Sequence, residues 1–442
     1  MKKQLNDILM DQNIFIIEEF IRHQPYDIAQ KIKSYSLQDQ ISLIDIIPIT
    51  KSSKILRHMS PVEQYRILTH LSVDKTKILL NSQPMDDLVD LFLAIHPKQD
   101  EKLMTYLDKD TQQKIKDLMI FKPGTAGSLV TIDYISAREN WSVKMTLEHI
   151  RKIAGNVESV SYIYVLDNYG HLNGIVSIRE LLSALDREFL SNIMIRDIIS
   201  VYAEVDQQEA VKKLTNHYLS ALPVTTTDNK MIGMITFDDA MNVMEDEATE
   251  DIQKLGGSEP LNKPYFETSI WNIYSKRIPW LLFLFVAEAY TGTVLHYFED
   301  TLEKVVALAF FVPLLVGTGG NTGTQIVATI IRAIGIGEVK FKDIFRVIRK
   351  EVSVGVLLGL SLGIAGLIRA YILGVGLEVA QVVAITLVCI VLWASIVASV
   401  LPLILRKLKL DPAVVSGPFI TTFVDGTGLV IYFLVAKMLL NL

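Results

Sequence analysis

The pattern of hydrophobic positions changes near residue 270. Before that point, short apolar groups alternate with polar residues. Beyond it, five apolar stretches each approach or exceed the roughly 20 residues that a helix needs to cross a bilayer. Five such stretches in one region are too many for the core of a soluble domain, and they predict a membrane domain over residues 278–442. The predicted spans are Ile278–Tyr297, Val305–Ile331, Val352–Leu373, Val379–Leu405 and Pro412–Leu440.

The first 125 residues carry the pattern of short helices. Residues Ser60–Gln64 have the Ser-x-x-Glu spacing of a capping box, with Pro61 at the first helical position. Apolar residues then recur at helical spacing and few strand signals appear. An all-α, superhelix-like domain is therefore predicted for residues 1–125.

An internal repeat follows, with copies at residues 126–188 and 189–245. Each copy predicts strand, turn, strand and helix, with a hydroxyl and an acid where the second strand meets the helix. The matching residues keep a constant separation along the chain. They are Gly174, Ser177 and Glu180 in the first copy, and Gly233, Thr236 and Asp239 in the second.

An acidic connecting helix is predicted between the repeat and the spans, over residues 246–277. Glu247 and Asp251 stand at the i and i+4 positions and would share one helix face. Like charges on one face repel each other unless cations bridge them. The alternative is an ordinary solvated helix face.

Charge and composition separate the two halves of the 442 residues. Residues 1–270 hold 29 Lys and Arg against 39 Asp and Glu, whereas residues 271–442 hold 14 against 10. Neither half is strongly basic, which excludes a typical nucleic-acid binder. The single cysteine excludes a disulfide scaffold. No catalytic triad, phosphate loop or metal-catalytic motif is present, so an enzyme is not expected.

Basic residues cluster in alternate loops between the predicted spans. This distribution places the N-terminal half in the cytoplasm and, with five spans, the C-terminus outside. The chain has no secretory signal at its start. We therefore expect a multi-pass protein of the plasma or inner membrane.

A few polar groups fall at membrane depth. Asp425 lies in the middle of the fifth predicted span, Glu288 in the first, and Asn321 in the glycine-rich GTGGNTG segment of the second. Ionisable residues at this depth are costly and usually functional. The glycines are expected to interrupt the second helix and expose carbonyls to a cavity. Asp411 precedes Pro412 and is a candidate N-cap of the fifth span.

These groups favour a path for a hard cation. Carboxylate, amide and carbonyl oxygens suit Mg²⁺, which gives up its water reluctantly. The spans lack the Cys, His or Met cluster that a soft metal would need. Oxygen ligands also leave open a broader divalent cation transporter that moves cobalt or manganese.

Together these features resemble the MgtE family of magnesium channels and transporters. The motifs that carry the resemblance are VPLLVGTGGNTGTQ, EATEDIQKLGG and LDPAVVSGPFITTFVDGTGLVIY, and the repeat resembles a CBS pair. The resemblance implies a multidomain fold with an all-α N-terminal domain, an α/β CBS pair and an α-helical membrane domain of five transmembrane helices. It also implies a homodimer in the lipid bilayer, with a pore on the dimer axis lined by the second and fifth spans.

The resemblance further implies which residues act. Asp425 would coordinate hydrated Mg²⁺, Asn321 matches the second-span motif, and Glu303 and Asp411 occupy positions that are typically acidic. Cytoplasmic Mg²⁺ would bridge carboxylates and hold the channel closed. The candidate carboxylates are Asp87, Asp206, Glu247, Glu250 and Asp251.

CBS pairs of this kind often bind ATP or another adenine nucleotide, with the hydroxyl facing phosphate and the acid facing ribose. The candidate nucleotide contacts are Tyr162, Ser177, Arg179, Glu180, Thr236 and Asp239. Two alternatives stay open: a CBS pair that binds no nucleotide, and a nucleotide-sensing membrane signalling protein whose spans only anchor it. Several residues depart from the family pattern, and two of them lie in the spans. Glu288 is an additional membrane acid, and Gly426 stands where a bulkier apolar residue is frequent.

Overall fold

The computed structural model describes residues 22–95, 102–155, 157–261, 265–414 and 416–442. The chain divides into two compact units between Met244 and Glu245. The first unit contains short helices and two small sheets, and the second contains long apolar helices.

The first unit begins with an all-α domain, as predicted. Ser60 accepts a hydrogen bond from the backbone N–H of Glu63, and the Glu63 carboxylate accepts one from the Ser60 backbone N–H, so the expected capping box is present. The apolar faces of the helices form one buried core with part of the second repeat copy. The helices are α1 (Pro25–Ile32), α2 (Leu37–Ile46), α3 (Ile49–Arg57), α4 (Pro61–Leu68), α5 (Val73–Asn81), α6 (Met85–Ala94) and α7 (Lys109–Leu118).

The repeat forms two three-stranded sheets of the same design. In each, the first strand pairs parallel with the second, and the second pairs antiparallel with the third. The elements of the first copy are β1 (Ile135–Ala137), α8 (Val143–Ile153), β2 (Tyr162–Leu166), β3 (Leu172–Ser177), α9 (Ile178–Ser183) and α10 (Leu190–Ile193). Those of the second are β4 (Val201–Tyr202), α11 (Gln207–Asn216), β5 (Ala221–Thr225), β6 (Met231–Thr236) and α12 (Phe237–Leu255).

The strand register repeats with the same period as the sequence. Val165 pairs with Gly174 in the first sheet, and Val224 pairs with Gly233 in the second, each beside a bulge. A side chain at Gly233 would overlap the backbone of Thr131, which explains the glycine. The predicted strand, turn, strand and helix are present in both copies. Each copy also has an earlier strand and helix that the pattern did not indicate.

Among the residues that the structure describes, the second unit has five helices long and apolar enough to cross a membrane, as predicted. They contain α13 (Ile270–Tyr297), α15 (Val312–Gly335), α16 (Ile344–Leu373), α17 (Leu377–Lys407) and α18 (Gly417–Leu440), and the short α14 (Glu299–Lys304) follows α13. The connecting helix is α12, which begins inside the second repeat copy at Phe237 and ends at Leu255 rather than running over residues 246–277.

Two expectations for the spans are wrong. The second span is not interrupted, because α15 is continuous from Val312 to Gly335 through all its glycines. Asp411 does not cap the fifth span, because Ser416 is the N-cap of α18. Asp411 instead accepts a hydrogen bond from Ala413 N at 2.9 Å in the 3-10 turn before α18.

Glycines set the distance between the third and fourth spans. A Cβ atom at Gly359 would lie 3.1 Å from Val388 Cα, and one at Gly363 would lie 3.0 Å from the Ala384 carbonyl oxygen. The backbones of α16 and α17 are therefore in direct contact, as small residues allow between membrane helices.

Candidate functional site

The candidate ion path is built on the contact between α15 and α18. At Gly320 a Cβ atom would lie 2.7 Å from Thr421 Cγ2 and 3.3 Å from Asp425 Oδ1. Gly319 meets Val424 in the same way. Gly319 and Gly320, which were expected to break α15, thus act as a packing surface, because side chains of α18 lie directly against the backbone of α15 there.

Asp425 is enclosed by this contact. Asp425 is only 6% exposed to solvent. Its Oδ1 atom is buried and accepts no hydrogen bond from any residue that the structure describes. A buried polar atom without a partner is costly, so this oxygen is available to a ligand.

Three hydrogen bonds fix α18 around Asp425. Tyr432 donates its hydroxyl to the Leu308 carbonyl at 2.9 Å. Trp393 Nε1 of α17 donates to Thr427 Oγ1 at 2.9 Å. Thr324 and Thr421 share a hydrogen bond at 3.3 Å between their hydroxyls. Every bond lies inside the helix bundle, so the position of the acid is rigidly supported.

Asn321 lies on a different face of α15 from the glycines that contact α18. Its side chain is exposed, as are those of Gln325 and Thr329, which follow at successive i+4 positions. These three residues form a polar stripe along one face of the helix. At membrane depth such a stripe needs water or protein against it, since lipid cannot form hydrogen bonds with it.

The packing of the first span against the fifth explains why residue 426 is a glycine. A Cβ atom at Gly426 would lie 2.6 Å from Tyr290 Cε1 and 3.3 Å from Thr291 Oγ1. A bulkier residue at this position would therefore collide with the Tyr290 ring. The glycine and the tyrosine fit each other, and α18 stays helical beside Asp425.

The acids of the connecting helix gather around a lysine. Lys254 Nζ lies 2.5 Å from Glu250 Oε1 and 2.6 Å from Asp411 Oδ2. Burial raises the pKa of Asp251, with Asp411 and Glu247 adding to the effect. The structure therefore brings together four predicted metal-binding residues: Glu247, Glu250, Asp251 and Asp411. Lys254 was not predicted, because only the fold reveals that it joins α12 to Asp411.

In the first unit, a basic residue, Arg57, lies among acidic side chains. Arg57 Nη2 donates to Glu158 Oε1 at 2.9 Å, and Arg57 Nε lies 2.6 Å from Asp87 Oδ2 without hydrogen-bond alignment. Burial and repulsion from Glu158 hold the pKa of Asp86 well above its usual range. Asp87 was predicted as a metal-binding carboxylate. The pairing of Arg57 with Glu158 was not predicted, because the two residues are 101 positions apart in the sequence.

The predicted nucleotide residues lie at the strand-to-helix junctions. Ser177 and Glu180 form a capping box, in which Glu180 Oε2 accepts from Ser177 N at 2.9 Å. In the second copy, the Thr236 hydroxyl donates to Asp239 Oδ2, and the Asp239 backbone N–H donates to Thr236 Oγ1 at 3.5 Å. Burial raises the pKa of Asp239 to about 7, and the charges of Asp238, Glu158 and Asp87 add to this. Asp239 thus belongs to the same acidic region as Asp87.

The remaining predicted residues stand apart from these groups. Tyr162 is half-buried at the start of β2, and Arg179 is exposed on the first turn of α9. Asp206 caps α11 by accepting from Gln208 N at 2.9 Å. Glu303 is exposed on α14. Within the described ranges, no three Asp, Glu, His or Cys side chains form a preformed metal-ligand set.

Family models match most of the chain. A model described as a divalent cation transporter, MgtE, matches residues 312–435. One described as the MgtE intracellular N domain matches residues 23–124. The CBS domain model matches residues 126–187 and 190–246.

Similar proteins are named as magnesium transporters. The Magnesium transporter MgtE of Thermus thermophilus is 36% identical over 96% of this chain and 94% of its own length. That of Bacillus subtilis is 29% identical over 95% of this chain and 92% of its own. A crystal structure of the cytosolic domain of the Mg²⁺ channel MgtE in complex with ATP has a TM-score of 0.53 at 27% identity, and covers 55% of this chain and all of that one.

We expect the Gly426→Ala substitution to disturb α13 against α18, because the new methyl would overlap the Tyr290 ring. Overpacking of this kind costs about 1–3 kcal/mol. The thermal midpoint of the detergent-solubilised protein should fall, and Tyr290→Ala in the same chain should restore part of the loss. Gly428→Ala is the matched control, since its Cβ atom would make only ordinary contact, at 3.4 Å, with Ile390. Equal midpoints for both glycine variants would contradict this packing.

Proposed function

We infer that this chain, which belongs to the MgtE family of magnesium transporters, carries Mg²⁺ across a membrane. We propose that its second and fifth spans line the ion path and that Asp425 is the acid that meets the ion. The CBS pair and the helical domain then form the cytoplasmic regulatory part. We keep residues 125, 188 and 245 as the proposed domain boundaries, whereas the membrane domain begins with α13 at Ile270 rather than after residue 277.

The observation that carries this proposal is the environment of Asp425. It is buried at membrane depth, with Oδ1 unpartnered among the described residues. An ionised carboxylate there is costly without a counter-charge. A divalent cation that keeps several of its waters supplies both charge and hydrogen bonds. The enclosed acid therefore suits hydrated Mg²⁺.

A homodimer would complete the path. Asn321, Gln325 and Thr329 form the exposed polar stripe of α15, which needs water or protein rather than lipid. In a symmetric pair the stripes of two copies would enclose an aqueous path on the dimer axis. The basic loops favour a cytoplasmic N-terminal half and an external C-terminus.

We propose that cytoplasmic Mg²⁺ closes the path by binding the acidic surfaces more strongly in the closed state. The acids concerned are Asp87, Asp206, Glu247, Glu250 and Asp251. Arg57 and Lys254 already neutralise part of this charge. A divalent cation would therefore supplement resident basic side chains rather than act alone.

The junctions of the CBS pair support ATP binding as a second regulatory input. A neighbour of this fold is described in complex with ATP, and the acids and hydroxyls lie at equivalent junctions in both copies. The broader alternative, transport of cobalt or manganese as well, is supported by the family model described as a divalent cation transporter.

Asp425→Asn should abolish Mg²⁺ uptake, because the amide keeps the size of the side chain but removes its charge. The measurement is Mg²⁺-dependent growth and uptake in cells without their own magnesium uptake. Glu378→Gln is the control, since Glu378 is exposed in the first turn of α17. If the Asp425→Asn variant takes up Mg²⁺ at the level of the unmodified chain, Asp425 is not part of the ion path.

Neutralising Glu247, Glu250 and Asp251 together should leave the channel active at high cytoplasmic Mg²⁺, because the bridging charges are gone. Flux from vesicles loaded with Mg²⁺ measures this, and Mg²⁺ should also cease to protect the residues after α12 from protease. The control neutralises three exposed CBS-pair acids: Glu148, Asp186 and Asp228. Protection by Mg²⁺ that persists in the first variant would count against the gating proposal.

Calorimetry of the full chain with ATP should give saturable binding, and Asp239→Asn should weaken it by about tenfold, the effect of losing one good hydrogen bond. Binding should strengthen as the pH rises through the Asp239 pKa of about 7, because the carboxylate then becomes an ionised acceptor for ribose hydroxyls. Asp186→Asn is the control on the exposed surface. No heat of binding would favour a CBS pair without nucleotide.

A further inference from the structure

The first and fifth spans run parallel in a constant register. Three contacts between the two helices define this register. In each contact, the two residues are separated by almost the same number of positions in the sequence. The ring centroids of the first contact are 6.2 Å apart and those of the last 4.8 Å. The contacts join Phe283 to Phe419, Tyr290 to Gly426, and Phe298 to Phe433.

This register places Glu288 at the depth of Asp425. Counting from the Tyr290 contact, Glu288 falls opposite Val424, the residue before the buried acid. Gly426, the residue after Asp425, contacts Tyr290 and Thr291, which follow Glu288 on α13, so the two acids lie on adjacent helices at a similar depth. Glu288 itself is exposed on α13, so its carboxylate is not covered by the described part of the chain.

A neutral oxygen lies beside the two acids. Thr291 stands at the i+3 position from Glu288 and shares its helix face. Its Oγ1 atom is 3.3 Å from the position of a Cβ at Gly426. Like Asp425 Oδ1, this hydroxyl is buried without a hydrogen-bond partner among the described residues. One unsatisfied oxygen, Asp425 Oδ1, therefore lies at the contact of α18 with α15, and the other, Thr291 Oγ1, lies at the neighbouring contact of α18 with α13.

The basic residues of these helices are too distant to compensate the acids. Lys276 and Arg277 precede Glu288 on α13, and Lys437 follows Asp425 on α18. At the helical rise per residue, each of these basic residues is about 16–18 Å from the acid of its helix along the axis. Lys437 is also engaged over the Phe298 ring at 5.1 Å. Two carboxylates at one depth in a medium of low dielectric constant repel strongly, so the pair requires a mobile cation.

We propose that Glu288 is a second carboxylate of the ion path, and that Glu288 and Asp425 together hold one hard divalent cation, with Thr291 Oγ1 and water as neutral ligands. This rests on the proposed function and adds a residue to it. Two carboxylates balance the charge of a divalent ion, whereas a monovalent ion would leave one charge unpaired. Glu288 should therefore contribute to affinity and to selection of divalent over monovalent cations.

The test is Mg²⁺ flux into proteoliposomes containing the full chain with Glu288→Gln. The expected result is an apparent KM for Mg²⁺ raised about tenfold, the equivalent of about 1.4 kcal/mol, with increased leakage of K⁺. Glu288→Asp should fold and give an intermediate KM, and Glu378→Gln should match the unmodified chain. The thermal midpoint of each variant shows whether it is folded.

Unchanged KM and K⁺ leakage in folded Glu288→Gln would overturn the proposal, and unchanged values in Glu288→Asp would do so if the glutamine variant fails to fold. The Asp425→Asn variant distinguishes failure of the Glu288 proposal from failure of the proposed function. If Asp425→Asn abolishes flux and Glu288→Gln changes nothing, only the role of Glu288 is lost. If neither variant alters flux, the ion path itself is misplaced.

Discussion

The direct approach of α15 to α18 is the constraint on which the membrane unit depends. At Gly319 and Gly320 the second span has no side chain, so Val424, Thr421 and Asp425 lie against its backbone. Lipid offers no hydrophobic drive between helices, so close packing of small residues has to hold them together. The same packing encloses the acid. A bulkier residue at Gly320 would therefore remove both the contact and the site.

Acidic residues inside the membrane spans and acidic residues outside them differ in how their charge is compensated. The acids outside the spans have resident partners, because Arg57 pairs with Asp87 and Lys254 bridges Glu250 and Asp411. Such partners hold the acids in one arrangement without a metal. The acid of the fifth span has no comparable partner among the described residues. An ion on the proposed path would therefore meet a charge that no described residue neutralises.

Local patterns were sufficient for much of the fold. The capping box at Ser60, the five apolar helices and the repeat all follow from short-range rules, and the period of the repeat reappears as an identical strand register. Local rules failed where a residue's role depends on a distant partner. Glycine weakens an isolated helix, yet α15 is continuous, and side chains of α17 and α18 pack against Gly319, Gly320 and Gly323. Asp411 has cap-like neighbours, yet its carboxylate binds Lys254.

The sequence alone therefore determined the fold class, the number of spans and the presence of an acid at membrane depth, because hydrophobic length, periodicity and the cost of buried charge are properties of the local chain. Tertiary structure decided which charges meet. Arg57 reaches Glu158 across 101 residues, and the register of α13 on α18 brings Glu288 to Asp425. No spacing rule encodes such pairs, because they arise only when packing fixes the depth and rotation of separate helices.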